Sequence, residues 1–191
     1  MICCSFKNIH MKKIFYYTSA LVLFLSACNK PEAVLFNDRS TAGKADRTAW
    51  TATASSEELV GEGAVNGRTA ALFDGNYNSF WHSQWMGASP VYPHWIIVDM
   101  KSAVKAISVD LTARQNNVNG MTKFTLEGST DATTWTNLKK GGGNFVFDPA
   151  NKAPQGYAVI STNDIRYLRV MMTEGKTTST HLAEIEVYTA K

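Results

Sequence analysis

The sequence predicts an all-β domain, either a sandwich or a barrel, from three observations. Apolar and polar residues alternate with a period of two in four stretches, as in half-buried strands: 107–111, 123–127, 167–172 and 184–188. Residues 94–100 are almost continuously apolar, which is typical of a strand with little solvent exposure. Turn-forming residues separate these stretches, at 119–120, 129–131, 141–143, 149 and 154–156. No amphipathic helix of ordinary length is predicted, and residues 70–73 allow one helical turn.

The N-terminal region predicts export. Residues 11–13 are Met-Lys-Lys, and the apolar run at 14–25 is shorter than the ~20 residues that span a bilayer, so we interpret it as part of a signal peptide. Residues 25–28 (LSAC) resemble the bacterial lipobox, which implies a signal peptide over 1–28 and a lipid on Cys28. An ordinary secretory signal is the alternative to the lipobox. Met11 is an alternative start of translation. Asn29 favours the outer membrane, so we expect a lipid-anchored protein of the cell envelope.

Composition predicts one domain behind a tether. Residues 29–48 are polar and are expected to be flexible, and residues 49–191 are long enough for one core. From residue 49 onward, twelve Lys and Arg face thirteen Asp and Glu, so nucleic acid is not an expected partner. The three cysteines all lie at or before Cys28, which excludes a thiol nucleophile and a cysteine-ligated zinc site from the predicted domain.

Four segments resemble, in order, the motifs of the discoidin superfamily, also known as coagulation factor V/VIII C-type domains. They are 73–83 (FDGNYNSFWHS), 93–100 (PHWIIVDM), 124–135 (FTLEGSTDATTW) and 182–188 (LAEIEVY). The resemblance implies a galactose-binding-domain-like jelly-roll sandwich of about eight strands. Among the members of that superfamily, the sequence resembles the bacterial family-32 carbohydrate-binding modules. Trp81, Trp95 and Trp135 occupy core positions of that family.

The resemblance also implies a structural Ca²⁺ site that joins the first loop to the last strand. Calcium prefers carboxylate, hydroxyl and carbonyl oxygens. The matching residues are Leu72, Asp74, Asn76, Ser79, Ala183 and Glu184. The alternative is an ordinary Asp-Gly turn, with Asp74 bonded to its own backbone and Glu184 in solvent.

The resemblance to galactose-binding modules implies ligand contacts from three side chains, His82, Arg114 and Asn119. Residues 113–120 (ARQNNVNG) are similar to the corresponding loop of those modules, and Gln115 is a further candidate. Such groups suit sugar hydroxyls, because Arg offers a planar set of donors and Asn offers a donor and an acceptor. The loop that often supplies a stacking ring, 173–180, has no aromatic residue, so Trp85 and Tyr92 are the substitutes. The alternatives are a buried structural His82 and an Arg114 paired with Asp110.

Together these features predict an envelope lipoprotein with a non-catalytic, calcium-stabilised module for a galactoside-type glycan. The alternative is an adhesion or scaffolding protein whose loops bind a protein partner, since one fold supports many functions. An enzyme is not expected. Glycosidase chemistry needs two facing carboxylates, and the best-placed pair, Asp74 and Glu184, is assigned to calcium. Membrane contact is expected only through the lipid.

Overall fold

The computed structural model describes residues 42–190, and the predicted signal peptide, Cys28 and most of the predicted tether lie outside them. Those features stay predictions. The described part is built almost entirely of strands, and its one short 3₁₀ helix, Thr69–Phe73, falls where one helical turn was expected. The strands are β1 (Ala42–Lys44), β2 (Thr51–Ala54), β3 (Trp81–His82), β4 (His94–Val104), β5 (Ala106–Thr112), β6 (Met121–Ser129), β7 (Thr136–Asn137), β8 (Phe145–Val146), β9 (Gln155–Ala158), β10 (Ile165–Gly175), β11 (His181–Leu182) and β12 (Glu184–Ala190). Within the same range, no helix is long and apolar enough to cross a membrane.

Two antiparallel sheets form the sandwich. The smaller has the strand order β1-β12-β5-β9, and the larger has the order β2-β4-β10-β6-β7, with β8 pairing with the start of β6. A separate ribbon joins β3 to β11. The five long strands, β4, β5, β6, β10 and β12, contain the five predicted stretches. The prediction of an all-β jelly-roll sandwich is confirmed.

The core lies between the sheets and is formed by the inward half of each alternating pattern. Val98 and Val170 of the larger sheet and Leu111 and Ile185 of the smaller sheet are fully buried in one cluster. Burying each such side chain contributes about 1.5–3 kcal/mol. This two-sided core holds the strand ends in place, and the strand ends carry the loops described below.

The tryptophans only partly follow the sequence interpretation. Trp81 is fully buried, as expected. Trp95 is half-buried because it alternates with the inward His94 and Ile96, which turns its ring to the outer face of the larger sheet. Trp135 is also half-buried, and the guanidinium of Arg169 lies 4.3 Å from the centre of its ring. Both rings therefore pack on the outside of the sheet and not in the core.

Two predicted boundaries were wrong. The tether was expected to extend to residue 48, but β1 pairs with β12 in the register Ala42 to Ala190 and Lys44 to Tyr188, so the sandwich begins before residue 49. Residues 154–156 were expected to form a turn, but Gln155 and Gly156 begin β9 and pair with Leu111 and Asp110 of β5. Backbone hydrogen bonds to a neighbouring strand stabilise this segment despite its turn-like composition.

Candidate functional site

One end of the sandwich gathers the loops that carry the predicted ligand residues. At this end β4 begins, β5 ends, β6 begins and β10 ends, as the pairings of Met172 with His94 and of Gly175 with Met121 show. The connections that meet there span residues 55–67, 83–93, 113–120 and 176–180. Loops held by a rigid sandwich are a common location for binding sites.

Glu62, which no sequence motif indicated, is the centre of a polar cluster at this end. Its Oε1 lies 3.2 Å from Nη1 of Arg114 and accepts a hydrogen bond from Nε1 of Trp85 at 3.2 Å. Its Oε2 lies 3.5 Å from Nη2 of Arg114, so carboxylate and guanidinium face each other side by side. Nε2 of His82 is 3.9 Å from Glu62 Oε1. One carboxylate thus bonds Arg114 and Trp85 and lies next to His82, which brings together predicted ligand residues from two segments of the chain.

Arg114 is oriented by further contacts. Its Nε donates to Oδ1 of Asn116 at 2.8 Å, and its guanidinium lies 3.7 Å from the centre of the Phe80 ring. A cation over an aromatic face is attracted by the quadrupole of the ring. The guanidinium is therefore held flat between Phe80 and the site, with its edge toward Glu62. The contacts that orient Arg114 are thus those with Glu62, Asn116 and Phe80.

His82 presents a hydrogen-bond acceptor to the site. Its Nδ1 lies 2.6 Å from the Ser83 carbonyl oxygen, and a carbonyl oxygen can only accept, so Nδ1 carries the proton. In the neutral ring, Nε2 then bears a lone pair on the side of Glu62. Burial is the main cause that lowers the pKa of His82, which favours this neutral form. The ring of His181 packs behind it, with the ring centres 5.3 Å apart.

Trp85 supplies an exposed aromatic ring beside the cluster. It is 42% exposed, and a Cβ added to Gly61 would come within 2.3 Å of its Cζ2 atom. The ring therefore rests against the bare backbone at Gly61, and its indole N–H is bonded to Glu62. An exposed ring with a fixed orientation is suited to stacking against the apolar face of a sugar.

A buried carboxylate, Glu58, holds the two loops that carry Glu62 and Trp85. Its Oε1 accepts the backbone N–H groups of Val60 (3.0 Å) and Gly61 (2.8 Å). Its Oε2 accepts those of Trp85 (2.8 Å) and Met86 (2.7 Å). Glu58 is only 1% exposed, and these four bonds, led by that from Gly61, lower its pKa to about 2. The side chain is therefore ionised at neutral pH and fastens one loop to the other.

Lys152 fastens the third loop. Its ammonium donates to the carbonyl oxygens of Arg114 (2.8 Å) and Pro149 (2.8 Å) and also to that of Asn117. An ammonium has three N–H donors, so all three are occupied by carbonyl oxygens. Burial is the main cause that lowers the pKa of Lys152. The contacts fix the loop that projects Arg114.

The other predicted ligand residues are held by different contacts. Gln115 donates to the carbonyl oxygens of Ala113 (2.8 Å) and Lys152 (3.2 Å), which ties it to the backbone. Asn119 has an exposed side chain, and its N–H donates to Asn117 Oδ1 at 2.8 Å. Tyr92 is half-buried, with its ring 4.8 Å from that of His94. A Cβ added to Gly175 would come within 1.9 Å of the Tyr92 hydroxyl oxygen, so this end of the ring is enclosed.

The predicted calcium residues converge at the first loop. The Ser79 hydroxyl lies 2.6 Å from Oδ2 of Asp74 and 2.7 Å from the Asn76 carbonyl oxygen. Glu184 is fully buried, and its Oε1 accepts the N–H of Gly75 at 2.7 Å. Burial first, and a hydrogen bond with Asp74 in addition, raise the pKa of Glu184. Ala183 is held by its N–H, which donates to the Thr112 carbonyl oxygen at 2.8 Å.

This donor set fits a hard cation such as calcium. Two carboxylates approach each other next to hydroxyl and carbonyl oxygens, the ligand types that calcium takes. Residues 42–190 hold no group of three or more His, Cys, Asp and Glu side chains arranged to bind a metal. The predicted calcium set contains two such side chains, Asp74 and Glu184, and its other ligands are neutral oxygens. Asp74 also accepts the N–H of Asn76 at 2.8 Å, as the alternative of an ordinary turn expected. Glu184, in contrast, is not in solvent.

Arg47 reaches the same place from the segment expected to be a tether. Its Nη1 donates to Oε2 of Glu184, to the Ile185 carbonyl oxygen (2.9 Å) and to the Leu72 carbonyl oxygen (3.4 Å). Lys44 accompanies it, with its Nζ 2.7 Å from Oε1 of Glu186. The N-terminal segment therefore supplies cations to two buried carboxylates of β12 and joins the first loop to the last strand.

The fold and the loop-end cluster define a class, the jelly-roll β-sandwiches that carry a ligand site on their loops. The chain belongs to the F5/8 type C domain family, whose model matches residues 51–186. This confirms the discoidin resemblance.

Individual relatives agree with this assignment. A sialidase from Micromonospora viridifaciens is 33% identical over 136 residues, which are 69% of this chain and 20% of the sialidase. The chain therefore spans about a fifth of the length of that relative. The C-terminal domain of a chitobiase from Bacteroides fragilis is 32% identical, with a TM-score of 0.69 over 78% of this chain and 99% of that domain. A family 32 carbohydrate-binding module of NanJ from C. perfringens, solved with galactose, has a TM-score of 0.63 at 23% identity, over 77% of this chain and 98% of that module.

Proposed function

We propose that the domain is a non-catalytic glycan-binding module and that it recognises a galactose-type sugar at the loop-end cluster. The observation that carries the proposal is the convergence of Arg114, Trp85 and His82 on the carboxylate of Glu62. Structurally similar modules support it, since one was solved with galactose and another, from Clostridium perfringens, with GalNAc-β-1,3-galactose.

Each group in the cluster suits one part of a sugar. Nε2 of His82 and the oxygens of Glu62 accept hydrogen bonds from hydroxyl groups, and Arg114 donates to hydroxyl oxygens. The ring of Trp85 offers an exposed face for the C–H side of the pyranose. Donors, acceptors and a flat apolar surface at one place form the usual pattern of a site for a small polar ligand.

Replacing Arg114 by alanine is expected to weaken galactoside binding at least about tenfold, because the site loses donors and Glu62 loses its partner. A glycan array, followed by calorimetry with the best ligand, measures this. Arg166→Ala is the matched control, since Arg166 pairs with Asp99 in a similar way (2.9 and 3.0 Å) but lies on the larger sheet. Equal binding by wild type and Arg114→Ala contradicts the assignment of the site. A folded wild-type protein that binds no glycan favours the protein-partner alternative.

We propose in addition that calcium stabilises the first loop, held by Asp74, Ser79 and Glu184 together with the carbonyl oxygens of Leu72 and Asn76. When bound, the ion would neutralise Asp74, share Glu184 with Arg47 and add a second connection between the first loop and the last strand. Its role here is structural, since the cluster belongs to the first loop and β12 and not to the loops that hold Arg114 and Trp85.

Calcium at about a hundred times its dissociation constant is expected to raise the melting temperature by about 5 °C or more relative to EGTA. Scanning calorimetry of wild type and Asp74→Asn measures this, and the variant is expected to lose most of the shift. Asp148→Asn is the matched control, because Asp148 accepts the N–H of Ala150 at 2.9 Å in the same kind of turn. No difference between calcium and EGTA in the wild type contradicts the proposal.

A further inference from the structure

The charges at the loop end are arranged so that negative charge faces the ligand position. Glu62 lies at the centre of the cluster, with its side chain 14% exposed, and the ionised Glu58 lies behind it. His82 is neutral in the tautomer described above. An acidic ligand would therefore need a cation at the loop end that is not already paired.

Two cations of the loop end, Arg114 and Lys152, already have hydrogen-bond partners. The three nitrogens of Arg114 each contact a carboxylate or amide oxygen, from Glu62 or Asn116, and its face is covered by Phe80. The three donors of Lys152 are taken by carbonyl oxygens. The exposed Lys176 belongs to a neighbouring loop, and its charge reaches Lys152. It is the cation to test if acidic sugars do bind.

We propose that Glu62 restricts this site to uncharged sugars and excludes uronic acids. The inference rests on the proposed glycan function and names the class of glycan. A neutral sugar presents hydroxyl groups that donate to the Glu62 carboxylate. A sugar carboxylate has no proton to donate at neutral pH, and it meets Glu62 at a partly buried position where like charges repel strongly. Glu62 also neutralises the charge of Arg114, so the pair offers a sugar carboxylate no net positive charge.

The test compares methyl β-galactoside with the corresponding galacturonic acid glycoside by calorimetry at neutral pH. The wild type is expected to bind the neutral sugar at least about tenfold more tightly. Glu62→Gln keeps the size and one acceptor of the side chain but removes the charge, and the preference should fall to about threefold or less, whatever happens to overall affinity. Glu174→Gln is the matched control, because Glu174 pairs with Lys123 (2.9 Å) outside the cluster, and it should leave the preference unchanged.

Three outcomes overturn the inference. Equal affinity of the wild type for both sugars removes the selection while leaving the glycan function intact, and loss of the acidic ligand in Lys176→Gln would then assign its recognition to Lys176. An undiminished preference in Glu62→Gln shows that another feature enforces it. Failure of the folded wild type to bind any neutral or acidic sugar rejects the proposed glycan function itself.

Discussion

Replacing Arg47 by methionine is expected to lower the free energy of unfolding by about 3–5 kcal/mol, because it leaves a buried carboxylate without its cation. Glu184 is fully buried, and Arg47 donates to it and to the carbonyl oxygens of Ile185 and Leu72. Methionine fills similar space but supplies neither charge nor donors. The Arg47 contacts join the first loop to the last strand, so without them the whole domain should unfold more easily.

Urea unfolding in the presence of EGTA measures this without a contribution from calcium. Arg166→Met is the matched control and is expected to cost about 1 kcal/mol or less, because the Arg166 side chain is 42% exposed. Adding Glu184→Gln to Arg47→Met should recover part of the loss, since the unpaired charge is then gone. Equal effects of the Arg47 and Arg166 substitutions would show that the buried pair does not stabilise the fold.

The same contacts decide where the domain begins. A chain shortened to residues 49–191 loses β1, Lys44 and Arg47, and with them the cations next to Glu184 and Glu186. We therefore expect it to be less stable than residues 42–191 by at least as much as the Arg47 variant.

Replacing Glu58 by glutamine is expected to abolish glycan binding and to lower the free energy of unfolding by about 2–4 kcal/mol. The carboxylate accepts two backbone N–H groups from each of two loops, with Val60 and Gly61 on one and Trp85 and Met86 on the other. Glutamine replaces one acceptor oxygen with a donor, so two backbone N–H groups lose their partner. The loops that carry Glu62 and Trp85 then separate, and the site loses its geometry.

Calorimetric binding and urea unfolding of Glu58→Gln measure both effects. Glu57→Gln is the matched control, since the neighbouring Glu57 accepts only one N–H, from Thr69 at 2.6 Å, and should leave binding intact. A Glu58→Gln protein with wild-type affinity would show that the loops are positioned without this carboxylate.

The low pKa of Glu58 adds a dependence on pH. Its pKa is lowered to about 2 in the folded protein from a usual value of 4.5, mainly by its backbone hydrogen bonds. Its contribution to stability is therefore fully present above pH 4.5 and is lost as the pH falls toward 2. Stability measured across this interval should decline less steeply in Glu58→Gln than in the wild type.

Local sequence was enough to predict the strands and the family, and it named three of the residues that meet at the loop end. Alternation such as that of residues 184–188 depends only on which side of a strand each residue faces, and the family motifs are local in the chain. His82, Trp85 and Arg114 could be named for that reason, and the structure brings them together.

The contacts that hold these residues in place are visible only in the folded protein. Glu62 is 52 positions from Arg114, and Arg47 is 137 positions from Glu184. No local pattern marks either partner, and Arg47 lies in a segment whose polar composition resembled a tether. No local pattern singles out Glu58 either, although it binds two loops at once. Strand faces follow from neighbouring residues, whereas the pairing of charges and the anchoring of loops follow from contacts between distant parts of the chain, which exist only once the two sheets have packed together.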